Sequence, residues 1–170
     1  MKNVRKLTLA GILIAVGVIC STFYIPIGMA KCFPVQHFIN VLAGVLLGPF
    51  YAVGMAFATS LIRNMLGTGS ILAFPGSMVG AFLCGIAYHY TKKEILAFFG
   101  EVIGTGVIGA LLVYPISRLF LSKEVALFAF VIPFGLSSFG GAAISLVLIM
   151  ALKKTKILDQ FELVDKAKEQ

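Results

Sequence analysis

The sequence predicts an all-α membrane protein, a bundle of six transmembrane helices. Hydrophobic residues make up 59% of the chain and charged residues only 12%, whereas soluble domains carry about a quarter charged. From Leu7 to Leu152 nearly every stretch is apolar enough for hydrocarbon. A hydrocarbon layer of roughly 30 Å takes about 20 helical residues to cross, so a chain of this size holds about six short spans. Residues 1–152 are expected to form one transmembrane domain and residues 153–170 a charged tail, with no room for a separate soluble domain.

The first span runs from about Leu7 to Ile25 and stops at Pro26, which lacks the next helical donor. Basic residues before an apolar run resemble a secretory signal, but Val18-Ile19-Cys20 lacks the small residue that precedes a lipoprotein cysteine, so the segment is expected to remain a helix. The second span follows Pro34 and reaches Gly48; the third starts at Pro49, a residue suited to the first helical turn, and continues to about Leu66. Span four covers Pro75 to about Tyr90, span five Glu94 to about Tyr114, and span six Glu124 to Leu152. Irregular segments are expected at Pro26–Pro34, Gly67–Phe74 and Pro115–Lys123.

The net charge of +7 is placed for topology rather than for nucleic acid. Lys2, Arg5, Lys6, Lys92, Lys93, Lys153, Lys154 and Lys156 fall on one face, and Lys31, Arg63, Arg118 and Lys123 on the other. Eight against four puts both termini of a multi-pass cell-membrane protein in the cytoplasm, and the irregular segments outside. The tail after Lys156 is expected to be a short amphipathic helix or disordered.

Helices in lipid associate through small residues. Gly44 and Gly48, Gly54 and Ala58, Gly76 and Gly80, Gly100 and Gly104, and Ser137 and Gly141 each lie four apart and read as packing faces. Gly11 and Ala15 on span one have the same spacing on a stretch without polar side chains, a face equally suited to a neighbour in the chain or to another protein.

A polar residue within a span costs roughly 2.5–3.5 kcal/mol when charged and so requires a partner or a task. Gln36, His37 and Asn40 share one face of span two at its outer end. Arg63 and Asn64 end span three, followed by Gly67-Thr68-Gly69-Ser70 and Phe74-Pro75-Gly76-Ser77. Arg63 has two readings: snorkelling to the interface, or facing inward to donate to a ligand or stack on a ring. Glu101, the only acidic residue well inside a span, is either a structural carboxyl or a ligand acceptor and proton carrier. Tyr24, Tyr114 and His89 suit interfacial belts, and Ser137 and Ser138 follow Pro133 in a helix that its missing donor would loosen.

The chain has no G-x4-G-K-[ST] loop, no H-E-x-x-H and no G-x-S-x-G. Cys20, Cys32 and Cys84 have no metal-ligand or disulfide spacing. No cofactor, metal or catalytic residue is expected, and any energy source must be an ion gradient or a partner.

Four runs carry a family resemblance: Phe33-Pro34-Val35-Gln36-His37-Phe38-Ile39-Asn40-Val41-Leu42-Ala43-Gly44, Arg63-Asn64-Met65-Leu66-Gly67-Thr68-Gly69, Leu72-Ala73-Phe74-Pro75-Gly76-Ser77, and Gly100-Glu101-Val102-Ile103-Gly104-Thr105-Gly106. With a small, basic, six-span architecture they resemble the ThiW group of S components of energy-coupling factor (ECF) transporters. That resemblance implies a non-enzymatic uptake subunit that captures the thiamine precursor hydroxyethylthiazole from outside and releases it inside, docked to a membrane coupling protein and two ATPases that use ATP. It implies partner docking through Gly11 and Ala15, where the family carries alanine-x3-alanine. The implied substrate-binding set is Gln36, His37, Asn40, Arg63, Asn64, Phe74, Ser77, Glu101 and Tyr114, with Phe74, Tyr24 or Tyr114 covering the ring and Gly67–Ser70 as a moving lid. Two other readings fit the same residues: a proton-coupled secondary transporter using Glu101, and an intramembrane enzyme.

Overall fold

A computed structural model describes residues 2–27, 30–121 and 126–155. The chain forms α1 (Lys2–Ile19) with a 3₁₀ turn at Cys20–Thr22, β1 (Ile25–Ile27), β2 (Ala30–Cys32), α2 (Pro34–Leu46), α3 (Pro49–Met65), α4 (Ala73–Thr91), α5 (Glu94–Ile103), a π-helical turn at Gly104–Gly109, α6 (Ala110–Leu121) and α7 (Val131–Lys154). Because α5, the π turn and α6 run on without a break, the described residues contain six helical rods. Three stretches are long and apolar enough to cross a membrane: Val4–Thr22, Glu94–Leu119 and Val131–Lys154.

The short helix α2 sits at the centre, packed by α1, α3, α4, α5 and α7. Its 13 residues reach about 20 Å at the helical rise, less than the hydrocarbon thickness. Ile39 through Gly44 are buried without interruption, as a helix enclosed on all sides requires. Around it pack Ala52, Ala81, Ala97, Ala142 and Ile149, each fully buried. Pro at the first turn starts both α2 and α3, and Gly48, at φ +91°, supplies the left-handed residue that joins them.

Small residues allow a close approach between α4 and the rod of α5 and α6. A Cβ at Gly104 would lie 2.7 Å from the Gly80 Cα, and one at Gly106 would lie 2.9 Å from the Gly135 Cα on α7. The rod is thus pressed from two sides two residues apart, and the turn widens there to the π form. Gly76, Gly80, Gly100 and Gly104 serve as the packing faces expected of them. Gly54 does not: it is exposed, with open space where a Cβ would be.

Several boundaries differ from the sequence expectation. The Pro26–Pro34 segment is not irregular throughout: β1 and β2 pair antiparallel, Ile25 with Cys32, Pro26 with Lys31 and Ile27 with Ala30. A two-stranded ribbon is marginal by itself, and this one is pinned to α7 where Cys32 Sγ donates to Pro133 O at 3.1 Å and Phe33 N donates to Ser137 Oγ at 2.8 Å. Burial raises the pKa of the Cys32 thiol, which keeps it a donor. The fifth rod does not end at Tyr114 but continues through Pro115 to Leu121, because helices of membrane proteins accommodate proline by local adjustment and by neighbours that satisfy the freed groups. Pro133 is the third residue of α7, where backbone N–H groups have no intrahelical acceptor, so it loosens nothing. The start of the sixth span at Glu124, the end of the irregular segment at Lys123 and the tail after Lys156 lie outside the described residues.

Candidate functional site

At one end of the bundle, four helices contribute polar side chains to a single buried network around α2. The first turns of α2 carry Gln36, His37 and Asn40, the last turns of α3 carry Ser60 and Arg63, the start of α4 carries Ser77, and the rod of α5 carries Glu101 and Thr105. All eight are buried, Arg63 to 1% exposure and Glu101 to 0%.

The network has two branches. In the first, Arg63 Nη1 donates to Gln36 Oε1, Gln36 Nε2 donates to Ser60 Oγ at 3.1 Å, and Ser60 Oγ lies 3.1 Å from Ser77 Oγ. The Ser77 hydroxyl donates to Phe74 O at 3.3 Å. Each hydroxyl has one proton, so the donors run in one direction, from the guanidinium to the Phe74 carbonyl. In the second branch, Glu101 Oε1 lies 2.8 Å from His37 Nδ1 and accepts from Asn40 Nδ2 at 3.0 Å and Thr105 Oγ1 at 3.1 Å. Ser77 joins the branches, since its carbonyl accepts the second Asn40 Nδ2 proton at 3.2 Å.

Two buried polar atoms in the network have no hydrogen-bond partner among the described residues: Arg63 Nε, a donor, and Glu101 Oε2, an acceptor. Glu101 Oε2 lies over Gly80, where an added Cβ would come within 2.8 Å of it. No direct ion pair joins Arg63 to Glu101 among the described residues; their connection runs through neutral amides and hydroxyls. Charges buried in this way are costly unless the site receives something.

Above Arg63, the guanidinium carbon lies 4.1 Å from the Phe33 ring centroid, a cation–π stack. Of its two sequence readings, Arg63 therefore follows the inward one. The Gly67–Ser70 turn folds back onto it: Thr68 N and Gly69 N both donate to Arg63 O at 2.9 Å, and Gly67, at φ +72°, makes the left-handed reversal. Tyr24 lies beside Phe33, 6.0 Å between centroids, with Lys31 Nζ 4.4 Å above its ring.

Of the expected binding residues, Gln36, His37, Asn40, Arg63, Ser77 and Glu101 come together. Asn64 stays at the edge and donates to Ser60 O at 2.8 Å. Phe74 contributes its carbonyl while its ring packs on Phe57, 5.7 Å between centroids. Tyr114 is outside the network, on α6, where its hydroxyl accepts from exposed Arg118 at 3.1 Å. Gly11 and Ala15 are exposed on α1, whereas Ala10, Leu13 and Gly17 face inward. Ser60, Thr105 and Phe33 were not among the expected binding residues, and Thr68 was expected only as part of the Gly67–Ser70 lid. Spacing pointed to two of them, since Ser60 lies one turn before Arg63 and Thr105 one turn after Glu101.

The profile of a family described as thiamine-precursor transporter protein (ThiW) matches residues 7–155. No curated protein matches the chain.

Proposed function

Because this chain belongs to the ThiW family of thiamine-precursor transporters, we propose that it is the substrate-binding membrane subunit of an ECF-type vitamin uptake system, and that its cargo is hydroxyethylthiazole. In this reading the six rods form one transmembrane bundle with the short α2 enclosed at its centre, both termini are cytoplasmic, and the buried network opens to the outside. The observation that carries it is the pair of unpartnered atoms, Arg63 Nε and Glu101 Oε2, at 1% and 0% exposed residues. Hydroxyethylthiazole offers a ring nitrogen to accept from the first and a hydroxyl to donate to the second. It is neutral, so it adds no net charge to a site that already holds one guanidinium and one carboxylate. The Phe33 ring, already stacked on Arg63, suits a heteroaromatic neighbour.

Topology is supported by the basic residues Lys92, Lys93, Lys153 and Lys154, which lie at the ends of α4, α5 and α7 opposite the network. Docking to a coupling protein is supported by the outward small-residue face at Gly11 and Ala15. With no ATPase of its own, the subunit then depends on two partner ATPases for release of the cargo inside.

Mass spectrometry of the full chain purified from cells tests the substrate: a retained thiazole alcohol supports it, and a different vitamin fragment replaces it. Liposome uptake tests the energy source. Import only with the coupling protein, ATPases and ATP is the expected result. The His37–Glu101 contact at 2.8 Å favours one competing reading, proton-driven transport, and import by the isolated chain under a pH gradient would establish that instead.

A further inference from the structure

Arg63 is held from an unexpected direction. Thr68 O accepts from Arg63 Nη2 at 3.5 Å, while Thr68 N donates to Arg63 O at 2.9 Å, so one residue grips both the guanidinium and the main chain of Arg63. Its hydroxyl has one proton and two acceptors within reach, Ser21 Oγ at 2.9 Å and Arg63 O at 3.3 Å. Arg63 O already receives the Thr68 and Gly69 amides, which occupy both of its lone pairs. Ser21 Oγ donates its own proton to Val18 O at 2.6 Å, so it is free to accept. The Thr68 hydroxyl therefore bonds Ser21, at the end of the first rod.

We propose that Thr68 is a positioning residue for ligand capture, holding the Arg63 guanidinium between Phe33 and Gln36 while its hydroxyl fastens that arrangement to Ser21. The proposal rests on the reading that Arg63 meets the ligand. Gly69 makes the arrangement possible, since an added Cβ there would lie 3.0 Å from Arg63 C and from Asn64 N. The turn lies flat against the end of α3, and among the described residues its side-chain tie to the first rod is the Ser21–Thr68 bond. Loss of that bond removes the tie and leaves the Thr68 hydroxyl to compete with the Thr68 and Gly69 amides for Arg63 O, so the turn loosens. Ligand would then enter and leave faster.

The test measures association and dissociation rates of hydroxyethylthiazole on the full-length protein. Thr68→Val and Ser21→Ala should each speed dissociation by about threefold to tenfold, the scale of one hydrogen bond. Association should accelerate as well, so affinity changes less than either rate. Thr68→Ser should restore wild-type rates, and combining Thr68→Val with Ser21→Ala should add little to either alone. Hydrogen exchange without ligand gives a second readout, with the Thr68 and Gly69 amides exchanging faster in Ser21→Ala. Wild-type binding with unchanged rates and exchange in both variants overturns this proposal alone. Failure of the wild type to bind hydroxyethylthiazole overturns the reading of the site, and this proposal with it.

Discussion

The two ends of the bundle treat charge in opposite ways. At the end where α3 meets α4, Arg63 is 1% exposed, has no carboxylate against it and keeps one N–H unpartnered. At the other end Lys153 pairs with Glu94 although its side chain is 41% exposed, and Lys92 and Lys153 both lie 5.7 Å from the Tyr88 ring centroid. A partly exposed pair of this kind contributes at most about 1 kcal/mol, because solvent already stabilises each ion. A buried ion without a counter-ion costs several kcal/mol unless hydrogen bonds or a ligand compensate. The second end thus holds its charge cheaply, while the first leaves a buried donor and a buried acceptor without partners among the described residues.

The largest expected effect comes from Glu101→Ala, which leaves His37, Asn40 and Thr105 without their common acceptor. It should lower stability by roughly 3–5 kcal/mol in a thermal melt and abolish hydroxyethylthiazole binding in calorimetry. Intact binding would separate the network from the site. Arg63→Lys keeps the charge but loses the planar fork and its stack on Phe33. Its affinity should fall by about tenfold to hundredfold, the scale of a charged hydrogen bond, with a smaller change in melting temperature. Gly104→Ala tests the packing beneath the network: with backbone 2.7 Å from the new Cβ, α4 and α5 must separate, at about 1–3 kcal/mol. Lys153→Ala closes the series with a loss below about 1 kcal/mol and unchanged ligand affinity. A loss at Lys153 as large as that at Glu101 would erase the contrast between the two ends.

Much of the binding end was legible because α2 announces itself. Gln36, His37 and Asn40 are polar residues at three- and four-residue spacing in an apolar run, and that pattern has few bland explanations in a membrane protein. Glu101 was conspicuous for the same reason, but its pairing with His37 and Asn40 was not, since they come from α2 and no local spacing relates helices so far apart in the chain. Ser60 and Thr105 were hidden by their chemistry. Hydroxyls in such helices commonly bond their own backbone, as Ser138 does with Gly135 O at 3.1 Å, so a lone Ser or Thr carries little information. Proline misled in both directions. Pro26 and Pro34 suggested an irregular segment where a short ribbon forms, and Pro115 suggested an end where the helix continues.

The widened turn at Gly104–Gly109 has a lasting effect on everything after it. A π turn takes in one residue beyond the α repeat, and one residue is worth about 100° of rotation and 1.5 Å of rise. Excising a single glycine there would let the turn relax to α geometry and leave Tyr114, Ser117 and Arg118 on their present bearing, whereas the same excision in the regular part of the rod would swing them about a third of the way around the axis. The widened turn is therefore the one stretch of the rod that can lose a codon and still hold the compass bearing of the upper half.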